Sequence, residues 1–222
     1  MHSQWQARLE HWLRTLKDDL YIPLERIDVE AFCTMEQLTA EEAMGREFTP
    51  MAPGAPWGHT WEYCWMRGSV VLPQSAAGRR VVMNLQTGGE TTVFVDGRSF
   101  GTYRAEWIDQ PHHYIVDNCL TTCGEAGRRY DLLLEAYAGH FFPHVANSGS
   151  ATGPVLPGSF RDPVGDGLRR TLGEISFGLW NEDAYQLYID LETLRQLGEM
   201  VDPESLRADR IADALEIGRA HV

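Results

Sequence analysis

The stretch PWGHTWEYCWMRGSVVLP, residues 56–73, holds three of the chain's seven tryptophans within nine residues. From residue 60 it alternates, with Trp61, Tyr63 and Trp65 on one side and Glu62, Cys64 and Met66 on the other. Side chains of a strand point to opposite faces with a period of two, so the pattern predicts a β-strand. An aromatic strand face can stack sugar rings, or it can fill a core, where each ring buries about 150–250 Å². The core use is the expectation for Trp61 and Trp65, together with Val81, Val93, Val95, Ile115, Leu132 and Leu134. Trp57, in a loop before a glycine, and Trp107 are the candidates for an exposed sugar contact.

Working outward, the period of two persists. RRVVMNLQ (79–86) is a second strand, rich in β-branched residues. ETTVFVDGRSFGTYR (90–104) reads as a strand, a turn at Asp96-Gly97 and a returning strand. Asp-Gly between apolar alternations signals a hairpin, because both turn positions need positive φ. HHYIVDN (112–118), RYDLLLEAY (129–137) and GEISFGLW (173–180) are further strands. Short strands separated by Gly-rich turns indicate an antiparallel sandwich of jelly-roll type, a mainly β fold. Residues 141–167, rich in Gly, Pro and Ser, form a long connection.

The two ends are helical. Trp5, Leu9, Trp12, Leu13, Leu16 and Leu20 make one stripe of a 3.6-residue period, with Ser3 as N-cap and Pro23 at or after the end. Between the helix and the tryptophans, TAEEAMGREF (39–48) predicts a helical turn and TPMAPGAPWG (49–58) an irregular loop. Near the other end, Asn181 caps a helix whose apolar face carries Tyr185, Tyr188, Ile189, Leu191, Leu194 and Leu197. A second helix is expected from Asp202 as N-cap and Pro203 at its first position, with a stripe through Leu206, Ile211 and Leu215.

Composition narrows the function. A hydrophobic content of 43% suits a globular core, and no apolar run is long enough to span a membrane. The formal net charge of −13 repels phosphate backbones and anionic lipid, so neither nucleic acid nor membrane is an expected partner. The N-terminus lacks a basic patch followed by an apolar stretch, which points to the cytoplasm. Cys33, Cys64, Cys119 and Cys123 are too few for a secreted disulfide scaffold and are expected as reduced thiols.

Motifs for self-contained chemistry are sparse. CLTTC (119–123) lacks the second pair that a zinc site needs. His112 and His113 are adjacent on a strand and face opposite ways, and His140 and His144 flank FFP with no acidic residue between them. No metal site is expected. No G-x-S-x-G elbow occurs, and TGGET (87–91) lacks the lysine and the helix of a phosphate loop. Glu135 is a carboxylate in an apolar strand; as a general acid it needs a second carboxylate, for which Glu62 and Glu90 are the candidates. A structural role is the expectation for Glu135, and no catalytic residue is assigned.

The order of motifs is distinctive. Residues 56–73, then GGETTVFVDGRSFGTY (88–103), LLLEAYAGH (132–140), GLWNEDAYQLYIDLETL (178–194) and DPESLR (202–207) together resemble the N-terminal region of the family 38 glycoside hydrolases, the cytoplasmic-type α-mannosidases of bacteria and fungal vacuoles. The resemblance runs from about residue 1 to residue 215. It implies an N-terminal sandwich, a helical connection and then a zinc-dependent (β/α) barrel that cleaves α-mannosides with retention. The His-Ile-Asp-x-x-Trp motif of the barrel is absent here, so no catalytic or metal residue carries over.

The expected layout is therefore a helix over 1–24, an accessory β-sandwich over 25–180 and a helical connection over 181–215. The expected role is non-catalytic, packing on the missing barrel and helping to assemble a homo-oligomer, with zinc confined to that barrel. A stand-alone carbohydrate-binding module and a small hydrolase using Glu135 are the alternatives. The end, EIGRAHV (216–222), is what GAG ATC GGA AGA GCA CAC GTC would encode, a string that resembles a common short-read sequencing adapter in all but its first base. Natural sequence is expected to stop near Glu216, with Ile217–Val222 derived from the adapter.

Overall fold

The strand expected from the tryptophan stretch forms, but it starts at Tyr63, two residues later than the alternation predicts. The computed structural model describes residues 3–59, 61–103, 118–139 and 170–218. In chain order they form α1 (Ser3–Asp19), β1 (Tyr21–Arg26), β2 (Val29–Thr34), α2 (Ala40–Met44), β3 (Thr49–Met51), β4 (Pro56–Trp57), β5 (Tyr63–Val71) and β6 (Val81–Leu85). Next come β7 (Glu90–Val95), β8 (Arg98–Tyr103), β9 (Cys119–Thr121), β10 (Arg129–Tyr137), β11 (Arg170–Thr171), β12 (Ile175–Trp180), α3 (Glu182–Met200) and α4 (Leu206–Gly218). The chain divides into two units, Pro23–Gly178 and the pair of segments Met1–Ile22 and Leu179–Val222.

The larger unit is built on antiparallel sheets. Six strands run in the order β3-β2-β5-β10-β7-β8, and a second sheet runs β1-β12-β6-β9. Cross-strand register sorts the six-stranded sheet into two faces. Met66 lies opposite Leu134 and Ala31, and Leu134 lies opposite Val93. This row and its neighbours Cys64, Val70, Leu132 and Ala136 are almost fully buried. The other face carries Trp65, opposite Phe32 and Glu135, and Leu133, opposite Phe94. It is covered in part by α2 and the residues just after that helix: Ala43 and Phe48 cluster with Trp65 and Leu133, fringed by Phe32, Leu38 and Phe94. β5 is therefore buried on both faces only around Trp65 and Met66; on the outward side Tyr63, Arg67 and Ser69 are half-buried and Val71 is exposed.

Trp65 is 1% exposed and stacks on Phe94 at 6.3 Å between ring centroids. The same burial holds for Val81, Val93, Leu132 and Leu134. Trp61 departs from expectation. It is half-buried and precedes the strand at a φ of 68°, which reverses the alternation there. Its N–H donates to the carbonyl of Gly139 at 2.9 Å. Val95 is also only half-buried, because it abuts the Asp96-Gly97 turn. Ile115 lies outside the described residues.

The hairpin forms as the Asp-Gly signal requires, with φ of 50° at Asp96 and 73° at Gly97. Asp96 then ties the turn to β10: its Oδ1 accepts from the Asp131 N–H at 2.9 Å and its Oδ2 from Arg128 at 2.8 Å. The stretch expected as an irregular loop, 49–58, contains two short strands, β3 and β4. β1 and β2 were not anticipated. α2 has a full capping box, in which the Glu42 N–H donates to Thr39 Oγ1 and the Thr39 N–H donates to the Glu42 carboxylate at 2.8 Å.

In the smaller unit, α1 buries Leu9, Leu13 and Leu16, Leu20 just after it is buried too, and α3 buries Ala184 and Leu191. Asn181 caps α3 as expected, its Oδ1 accepting from the Ala184 N–H at 3.2 Å. Its own amide groups reach back: Nδ2 donates to the Asp19 carbonyl and its N–H to the Leu20 carbonyl. α4 starts later than expected. Pro203 lies in a turn stabilised by Asp202, and Ser205 caps the helix by accepting from the Ala208 N–H at 3.2 Å. Leu206, expected on the apolar stripe, is 68% exposed, whereas Ile211 and Leu215 are buried. Side chains from residue 216 onward, which include the expected adapter-derived tail, lie outside the described residues.

The burial of Trp65 has a testable consequence. Its Nε1 has no hydrogen-bond partner among the described residues. Trp65→Ala is expected to cost about 3–5 kcal/mol in urea unfolding. Trp65→Phe is expected to cost less, because it removes the unsatisfied donor while keeping an aromatic ring against Phe94.

Candidate functional site

The outward face of the six-stranded sheet is half covered, and the uncovered part carries two clefts. The larger, about 630 Å³, is lined by Phe94 and Leu133 of the sheet and by Met44 and Ala40 of α2. Two ion pairs line it. Arg67 donates twice to Glu30 Oε2, at 2.8 and 2.7 Å, and lies over the Phe48 ring at 4.4 Å. Arg129 pairs with Asp131 at 2.9 Å.

The smaller cleft, about 300 Å³, is where the candidate carboxylates meet. Glu135 of β10 lies opposite Thr92 of β7, and Tyr137 lies opposite Glu90. Tyr137 also lies opposite Tyr63 of β5. All five residues, with Thr102, line one opening. The Tyr63 and Tyr137 rings sit 5.0 Å apart at a tilt of 30°, and Gln37 Nε2 donates to the Tyr63 hydroxyl at 3.0 Å. Burial pushes the Glu135 carboxyl above its ordinary range, with a hydrogen bond from Thr92 working the other way. Burial, then the nearby Tyr63 and Glu90, push the Tyr137 phenol up to about 12.

The site thus joins two half-buried aromatic rings, two carboxylates and two threonine hydroxyls. Of the partners considered for Glu135, the structure brings Glu90 to it and leaves Glu62 elsewhere. Glu62 Oε2 accepts from the N–H groups of Gly58 and His59, at 3.0 and 2.8 Å, and so holds the turn before β5. Tyr63 and Tyr137 were not singled out as site residues. Tyr137 stands two residues after Glu135, hence on the same face, and that spacing is the signal that would have found it.

Trp57 is no sugar platform. It is 3% exposed, and its Nε1 donates to the Thr87 carbonyl at 2.8 Å. The glycines of TGGET serve this packing. A Cβ on Gly89 would fall 2.4 Å from the Tyr137 carbonyl oxygen and 3.1 Å from the Trp57 ring. Trp107, His112, His113, His140 and His144 lie outside the described residues. Among the described residues, Cys33, Cys64, Cys119 and Cys123 are not joined in disulfides. Among the described residues no three His, Cys, Asp or Glu side chains come together to hold a metal ion, and no helix is long and apolar enough to cross a membrane.

Comparison with known proteins bears on the whole chain. The family described as "Alpha-mannosidase, jelly roll domain" matches residues 22–155. Human alpha-mannosidase 2C1 is 35% identical over 180 residues, which is 81% of this chain and 16% of that protein. The mouse protein of the same name is 34% identical over 71 residues, 32% of this chain and 7% of its own length. The chain thus spans less than a fifth of the length of these relatives. A β-glucuronidase structure from Faecalibacterium prausnitzii covers 74% of this chain and 32% of its own at 13% identity, with a TM-score of 0.43 that is too low to argue from.

The raised carboxyl yields a prediction with a definite sign. A group whose folded pKa is raised favours the fold when protonated, and that contribution is lost as pH rises through the folded pKa. For Glu135 the cause is desolvation, which penalises the charged form. Glu135→Gln is therefore expected to raise the melting temperature at pH 7, with the gain shrinking as pH falls through the carboxylate range. A melting series from pH 3 to pH 8 on both proteins checks it.

Proposed function

The chain belongs to the α-mannosidase jelly roll domain family, and from that premise we propose that it is the non-catalytic N-terminal accessory domain of an α-mannoside-cleaving enzyme. The observation that carries this reading is the family match across the sandwich, joined to 35% identity with human alpha-mannosidase 2C1 over 81% of the chain. On this proposal the chemistry belongs to a separate zinc-dependent catalytic barrel acting with retention in the cytoplasm, and the enzyme is a homo-oligomer. The described residues do not fit a zinc site, so no catalytic step is assigned to them.

The proposed work of the domain is packing against that barrel. Support comes from the helices of the smaller unit, where Ile189, Leu197, Met200 and Leu206 are exposed, Met200 at 84%. Apolar side chains gathered on exposed helices are the kind of surface a neighbouring domain covers.

A second reading is favoured by one observation, the cleft of Tyr63, Tyr137, Glu135 and Glu90. Aromatic rings beside carboxylates and hydroxyls are groups that hold saccharides, and a sugar-binding sandwich would use this cleft rather than Trp57. Two measurements separate the readings. The chain is expected to hydrolyse no aryl α-mannoside, with or without added zinc. Turnover that survives repurification and disappears in Glu135→Gln would overturn the accessory role. Titration with mannose and mannobiose, followed by tryptophan fluorescence, is expected to leave the signal unchanged; a saturable change lost in Tyr137→Ala would establish the sugar-binding reading.

A further inference from the structure

Cys33 and Cys64 are cross-strand partners, directly opposite one another in the antiparallel β2–β5 ladder. Their thiols are hydrogen-bonded to each other. Opposed residues of such a ladder have Cβ atoms about 4.5–5.5 Å apart. A disulfide needs about 3.5–4.5 Å, so only a small approach of the strands is required. On its other side β2 is paired with β3 only over Val29–Ala31, and at Cys33 its one neighbour is β5.

The two sulfurs are also unequal in a useful way. Cys33 is exposed, whereas Cys64 is fully buried. The hydrogen bond from Cys64 holds the Cys33 thiol below its ordinary pKa, against opposing effects of partial burial and of the Glu62 carboxylate. The same pairing, with burial, pushes the Cys64 thiol up. An accessible thiol beside a sheltered one is the arrangement of an attacking and a resolving cysteine.

We propose that Cys33 and Cys64 form an oxidisable dithiol site, which takes small-molecule disulfides as oxidant and closes to a cross-strand disulfide between β2 and β5. The Cys33 thiolate attacks one sulfur of the oxidant, forming a mixed disulfide and releasing the first small thiol. Cys64 then loses its proton and attacks Cys33 Sγ, which breaks the mixed disulfide and releases the second. Two protein thiols are oxidised and one small disulfide is reduced to two thiols, so electrons and protons balance. The bond closes the segment that holds α2 and Phe48, the partial cover of the outward sheet face, together with β3 and β4.

The test uses the 222-residue chain as it stands. It is incubated with oxidised glutathione, alkylated, and mapped by intact mass and peptide analysis. The expected product has lost two hydrogens, carries a peptide linking Cys33 to Cys64, and leaves Cys119 and Cys123 alkylated. Its melting midpoint is expected to rise, since the bond restricts the unfolded chain. Cys33→Ser should abolish the link, and Cys64→Ala should stop the reaction at a glutathione adduct on Cys33. The wild-type map needs no variant to fold. Full alkylation of both Cys33 and Cys64 after oxidation, or a link that runs instead through Cys119 or Cys123, overturns the proposal.

Discussion

The ladder between β5 and β10 is the constraint on which the larger unit depends. Its register is unbroken from Tyr63 opposite Tyr137 to Val71 opposite Arg129. β10 is also paired with β7, and β5 with β2, so neither strand has a free edge over its central residues. A slip of one residue would turn every side chain to the other face. Here it would exchange Met66 and Leu134 for Trp65 and Glu135, putting a carboxylate and an indole where only aliphatic groups now pack. The register is thus held by chemistry on both faces at once. The outward cleft depends on it, because Tyr63, Glu135 and Tyr137 converge only in this alignment.

Much of this architecture could be read locally. The Asp96-Gly97 hairpin, β6, β10, β12 and the Asn181 cap rest on signals contained within a few residues, such as positive φ at a two-residue turn or a side chain that reaches its own helix. Other parts could not. β1 carries Pro23 and is largely exposed, so it has no apolar alternation to reveal it. β2 does alternate, with Val29 and Ala31 inward and Glu30 and Phe32 outward, but its outward face is half covered and blurs the pattern. Trp61 continued the sequence alternation of β5, yet a left-handed backbone at that residue ends it. That conformation answers to the Gly139 carbonyl, which is distant in sequence.

The candidate site was legible only by halves. Glu135 stood out as a carboxylate among leucines, and Glu90 was one of two partners considered for it. Choosing between Glu90 and Glu62 needed the β7–β10 register, which no local pattern contains. The aromatic pair of Tyr63 and Tyr137 needed the β5–β10 register in the same way. Trp57 misled for a related reason. A tryptophan beside a glycine in a proline-rich stretch looks exposed, but the Thr87 carbonyl that takes its indole N–H lies on the far side of β5 and β6 in sequence.

The smaller unit is assembled from both ends of the chain, with Asn181 fastened to the carbonyls of Asp19 and Leu20. During synthesis these ends are separated in time. α1 leaves the ribosome early, yet α3 emerges only after the segment from Pro23 to Gly178 has been made. At roughly 5–20 residues per second that interval is on the order of ten seconds. Throughout it Leu9, Leu13, Leu16 and Leu20 lack the helix that completes their unit, so the nascent chain carries an unburied leucine stripe while the sandwich folds. A unit in which α1 waits for α3 is one on which a chaperone that recognises leucine-rich helices has time to act.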